Sequence, residues 1–80
     1  MLEFSKAVLK AVSVDRTLFN KELRKIVNWY GDDENQKSIL YQWCNQNFDN
    51  IYNDIIVEIF TKDFNKKKEQ FHLFEIHQNN

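Results

Sequence analysis

The amino-acid sequence predicts an all-α protein, a compact bundle of three to four short helices with very short connections. Three observations predict it. First, the 80 residues include no proline and a single glycine, Gly31, where average usage gives about four and about six. A sandwich or barrel needs Gly, Pro or Asn-Gly turns every 8–12 residues, and this chain cannot supply them. Second, seven Phe, three Tyr and two Trp within a hydrophobic fraction of 42% are too many for a disordered chain. Third, the apolar residues recur with the helical period. The length predicts one small domain, residues 1–80, burying roughly 60–65% of its unfolded surface.

At about 100° per residue, Phe4, Val8, Val12, Leu9 and Leu2 share one side of a first helix, over about 2–12. Lys6, Lys10, Glu3 and Ser13 share the other. Ser13-Val14-Asp15 interrupts the pattern, and Asp15 is placed to accept from the free amides of the next turn. A second helix, about 16–30, carries Leu18, Phe19, Leu23, Ile26, Val27 and Tyr30 on one face, with Trp29 on the same edge as Leu18. Gly31 follows as the residue that tolerates a left-handed backbone. Asp32-Asp33-Glu34 then suits the positive end of the next helix dipole.

A third helix, about 34–48, turns Ile39, Leu40, Trp43, Cys44 and Phe48 inward and Ser38, Gln42, Asn45 and Gln46 outward. Asn45, Asn47, Asp49 and Asn50 are poor helix formers close together and predict a break near 48–50. The phase runs on from Phe48 to Ile51 and Ile55, so one long bent helix is the alternative. In the fourth segment, about 51–65, Ile51, Ile55, Ile59, Tyr52, Ile56 and Phe60 cover half the circumference. Val57 and Phe64 widen the apolar arc to about 240°. Phe71 extends the Phe60/Phe64 stripe if the helix continues, while Lys66-Lys67-Lys68 interrupts it. Residues 66–80 read as an extension or a further helix.

Net charge is −1, so global charge names no partner. Residues 1–31 carry six cations and three anions, whereas residues 32–60 carry Lys37 against six anions. Cys44, the only cysteine, permits no intramolecular disulfide and fits a reducing cytoplasm, as a small apolar filler on a packed face. The first twelve residues are too short and too charged for a signal peptide, and Ile55-Ile56-Val57 is the longest wholly apolar run, so no membrane span is expected. Lys outnumbers Arg nine to two, and Phe, Tyr, Ile and Asn are abundant, a bias that follows AT-rich codons.

Few residues form a constellation that carries chemistry. Glu69 and His72 have a Glu-x-x-His spacing, but one copy without matching core Glu residues reads as a solvated face. Asp54 and Glu58 are one helical turn apart, and Lys62 a turn later makes them an ion-pair ladder. Glu22 falls inside the apolar arc of the second helix, either snorkelling outward, pairing with a cation or facing a partner. There is no Ser-His-Asp logic, no Gly-rich phosphate loop and no zinc spacing. The expectation is therefore no enzyme, no cofactor and no metal.

Two kinds of surface are candidates instead. Val57, Phe60 and Phe64, with Phe71 if the helix continues, form a surplus apolar stripe of the kind that marks a protein interface. Gln42 and Gln46 belong to a neutral face that is cheap to desolvate. Arg16, Lys21, Arg24 and Lys25 form a basic stripe able to contact phosphates of RNA or DNA.

Phe4-Ser5-Lys6, Val12-Ser13, Asp15, Leu18-Phe19, Lys21-Glu22-Leu23 and Trp43-Cys44 together resemble the opening of small helical proteins of AT-rich bacteria. The resemblance covers about the first half of the chain. It implies a helical single domain and carries no activity with it. The leading expectation is a non-enzymatic binder acting stoichiometrically on a larger protein or ribonucleoprotein, as adaptor or inhibitor. A phage or mobile-element inhibitor of bacterial defence, such as an anti-CRISPR protein, fits the size and codon bias. The alternatives are direct nucleic-acid binding through the basic stripe and a homodimer built on the Phe stripe.

Overall fold

The computed structural model describes the backbone of residues 2–79 and the side chains of residues 2–65. The expectations placed on Lys66-Lys67-Lys68, on Glu69 and His72 and on Phe71 lie outside the described side chains. All described elements are helical: α1 (Leu2–Val12), α2 (Arg16–Tyr30) and α3 (Glu34–Asn79).

Each boundary has a local cause. α1 ends where the Ser13 hydroxyl donates to the Lys10 carbonyl at 2.7 Å, and the Asp15 amide closes a turn onto Val12. Asp15 then caps α2, its carboxylate accepting from the Leu18 amide at 3.1 Å. α2 stops at Gly31, whose φ of 60° is open to glycine without the Cβ clash other residues meet. Asp33 caps α3 in the same way, accepting from the Gln36 amide at 3.1 Å.

α3 is one helical run along the chain but two rods in space. Tyr52 leaves helical geometry, with φ −126° and ψ 25°. Beyond it the chain folds back, because Lys37 meets Asp63 at 2.7 Å and the rings of Tyr41 and Phe60 lie 5.0 Å apart. In a straight helix residues 37 and 63 would stand about 39 Å apart. The break thus falls at Tyr52, two residues beyond the 48–50 expected from Asn45, Asn47, Asp49 and Asn50. Tertiary contacts select the position. The Tyr52 ring stacks on Phe19 at 4.4 Å, and its hydroxyl donates to the Ser13 carbonyl at 2.5 Å. Asn53 spans the kink by donating to the Asp49 carboxylate.

We call residues 34–51 the N-terminal limb of α3 and residues 53–79 its C-terminal limb. α1 runs antiparallel to α2, as the Ser5–Tyr30 contact requires, and α2 antiparallel to the N-terminal limb. The two limbs are antiparallel to each other, and Arg16–Asp54 and Arg24–Glu58 align α2 with the C-terminal limb. The result is an up-down-up-down arrangement of four rods.

The core takes Leu9 from α1, Phe19, Leu23, Ile26 and Val27 from α2, and Leu40, Cys44, Phe48, Tyr52, Ile55, Ile56 and Ile59 from α3. Phe19 packs edge-on against Phe48, and Trp43 edge-on against Phe48. Several apolar residues expected inside stand outside. α1 centres its buried face on Ser5 and Leu9 rather than on Phe4, which is 62% exposed. Ser5 lies on the same stripe as Leu9 and Val12, and its hydroxyl shares a hydrogen bond with Tyr30 at 3.0 Å, so its burial leaves no polar group stranded. Ile39 and Ile51 sit at the edges of their apolar arcs, and both are exposed.

Candidate functional site

The kink brings parts of the predicted interface together. Phe60 and Phe64 on the C-terminal limb face Ser38 and Tyr41 on the N-terminal limb across an open groove of about 310 Å³. Its floor is the Tyr41–Phe60 pair, with ring planes 67° apart. At one end lies Lys37, a buried lysine whose ammonium reaches Asp63 at 2.7 Å and Glu34 at 3.6 Å. Phe64 is 63% exposed and Val57 42%, so the surplus apolar stripe is open to solvent while Phe60 is half-buried. Gln42 and Gln46 are exposed one and two turns beyond Ser38, and neither lines the groove.

By composition Lys37 is only one cation among the six anions of residues 32–60. Its signal was available in the spacing: Lys37 precedes Leu40 by three residues and Cys44 by seven, which puts it on the buried stripe of the N-terminal limb. A buried ammonium needs a partner, and the sequence could not say that Asp63 supplies it from 26 positions away.

The basic stripe of α2 is arranged differently. Arg16 is hydrogen-bonded and ion-paired to Asp54. Arg24 faces Glu58 at 3.7 Å and donates to the Asn20 side chain at 2.7 Å. Lys25 pairs with Glu22 at 3.4 Å. Lys21 alone among the four has no ion-pair partner in the described residues. Asp54 and Glu58 therefore complement α2, in addition to the Glu58–Lys62 pair at 3.5 Å. The Arg16 guanidinium hydrogen-bonded to Asp54 holds its carboxyl below the usual carboxylate range.

A third surface joins α1 and α2. Phe4, Val8, Ile26 and Trp29 line an open groove with Glu22 and Lys25 on its rim. Trp29 is 68% exposed and Leu18 43%.

Cys44 is fully buried, and burial pushes its thiol up to about 12, away from the thiolate that a nucleophile requires. Among the described residues, no three or more His, Cys, Asp or Glu side chains converge to hold a metal ion. No helix of the described residues is long and apolar enough to cross a membrane. The fold and surfaces are those of a small all-α helical bundle with open grooves between its rods. No protein-family model, curated protein or solved structure matches the chain.

Proposed function

We propose that this is a non-enzymatic binding protein that acts stoichiometrically on a larger protein or ribonucleoprotein, as an adaptor or inhibitor. The observation that carries the reading is the exposed Phe64 beside the groove between the two α3 limbs, with Val57 on the same apolar stripe. Aromatic side chains at the edge of a groove are the usual anchors of protein interfaces. The groove is open, and its polar end is already occupied by the Lys37–Asp63 pair, which favours a partner's side chains over a small substrate. Inhibition of a bacterial defence complex, in the manner of an anti-CRISPR protein, is one form such binding takes in a chain of this size.

Direct binding of RNA or DNA through Arg16, Lys21, Arg24 and Lys25 has less support, because three of those four cations already face carboxylates. The test is a tagged pull-down from cells that express the protein, with and without nuclease, for the wild type and Phe64→Asp. We expect the wild type to retain a protein in near-equal amount that Phe64→Asp loses and nuclease does not release. Identical captures by both proteins overturn the groove reading. Release of everything by nuclease transfers the function to the basic stripe.

A further inference from the structure

The exposed stripe of α2 beside the α1/α2 groove is ordered so that it complements itself. At 100° per residue Leu18, Glu22, Lys25 and Trp29 fall within about 60° of one another on α2, so they form one stripe. Leu18 and Trp29 are exposed, Lys25 is exposed, and Glu22 is partly so. The order along the stripe is apolar, acid, base, apolar. Leu18 and Glu22 are four residues apart, as are Lys25 and Trp29, so the pairs Leu18/Trp29 and Glu22/Lys25 share one midpoint between residues 23 and 24.

We propose that a second copy of this chain covers this stripe, with the two α2 helices packed antiparallel about a twofold axis at residues 23–24. A twofold interface is self-complementary, because residue i meets j of the other copy and j meets i. In this register Leu18 of each copy meets Trp29 of the other, and Glu22 of each meets Lys25 of the other. Both apolar ends are covered, and Glu22 and Lys25, which pair with each other within α2, each gain a second opposite charge across the axis. Phe4, 62% exposed and lining the same groove as Trp29, closes the flank from α1. Among the described residues none from α3 lines this groove, so self-association here leaves the Phe60/Phe64 groove free.

Sedimentation equilibrium of the full chain tests it, with far-UV circular dichroism to confirm that each variant is folded. The wild type is expected to dimerise. Glu22→Lys and Lys25→Glu each place two like-charge contacts across the axis and weaken the dimer at least about ten-fold. The double variant Glu22→Lys/Lys25→Glu restores opposite charges and returns the constant to near the wild-type value. Trp29→Asp gives a monomer, and Phe64→Asp leaves the dimer unchanged. A wild type that stays monomeric at the highest soluble concentration overturns the proposal. So does a double variant no tighter than the single ones, or a dimer lost on Phe64→Asp.

Discussion

Ser5 and Lys37 are polar side chains in places where the helical period leads one to expect hydrophobes. Both are buried, and both are satisfied by groups far away in sequence: the Tyr30 hydroxyl for Ser5 and the Asp63 carboxylate for Lys37. Cys44 is the converse case, a reactive residue type made inert by its surroundings. Its thiol is fully buried and pushed up to about 12. A thiol reagent at pH 8 is therefore expected to label native Cys44 only through opening of the fold, and to label it rapidly in denaturing urea. Native labelling at the rate of a free cysteine would show that the thiol is not shielded. The inward position of Cys44 was readable from its place on the stripe with Leu40 and Phe48. The outward position of Phe4 was not, because an aromatic ring at the edge of an apolar arc is decided by the neighbouring helix and not by its own.

α1 and α2 show how far local chemistry reaches. Their bounds coincide with those the periodicity gives, since Asp15 and Gly31 act on the backbone beside them. α3 shows where that reach ends. Its Asn-rich stretch weakens the helix over several positions, and the contacts of Tyr52 with Phe19 and Ser13 choose which residue yields. The Lys37–Asp63 pair then ties the two limbs together at the end remote from the kink. Removing one partner leaves a charge without its closest counter-ion. Asp63→Ala is expected to destabilise the fold by about 1–3 kcal/mol, below the 3–5 of a fully buried pair because Glu34 stays within reach of Lys37. The double variant Lys37→Met/Asp63→Leu, which removes both charges, recovers most of that loss. Urea unfolding of the wild type, Asp63→Ala and the double variant measures it, and a double variant as unstable as Asp63→Ala would contradict the account.

The assembled bundle is held by its aromatic core and fastened at its surface. Phe19, Phe48 and Tyr52 pack where α2 meets the bend of α3, and Arg16–Asp54 and Arg24–Glu58 run along the seam between α2 and the C-terminal limb. The Asp54 carboxyl is held low by its bond to Arg16, so its folded-state value lies below that of the unfolded chain. The stability it contributes is therefore present above the unfolded value, about 3.9, and is lost as pH falls through the folded one. Asp54→Asn is expected to be less stable than the wild type at neutral pH, with the difference closing in acid. Thermal unfolding midpoints across pH 2 to 7 test this, and a difference independent of pH would remove Asp54 from the acid response.

Composition and period were enough for the all-α class, the amphipathic rods, the caps and the surplus of apolar side chains, because each follows from interactions within a few residues of the chain. The candidate surfaces were legible only as inventories. Arg16 and Arg24 could be counted as a basic stripe, but only the packed bundle shows Asp54 and Glu58 beside them. Phe60 and Phe64 could be counted as excess, but only the fold-back at Tyr52 sets Tyr41 against them and makes a groove. Those features depend on pairs some 20 to 40 positions apart. Which distant side chain arrives is settled when the rods pack, where burial and paired charge outweigh the local preferences of the backbone.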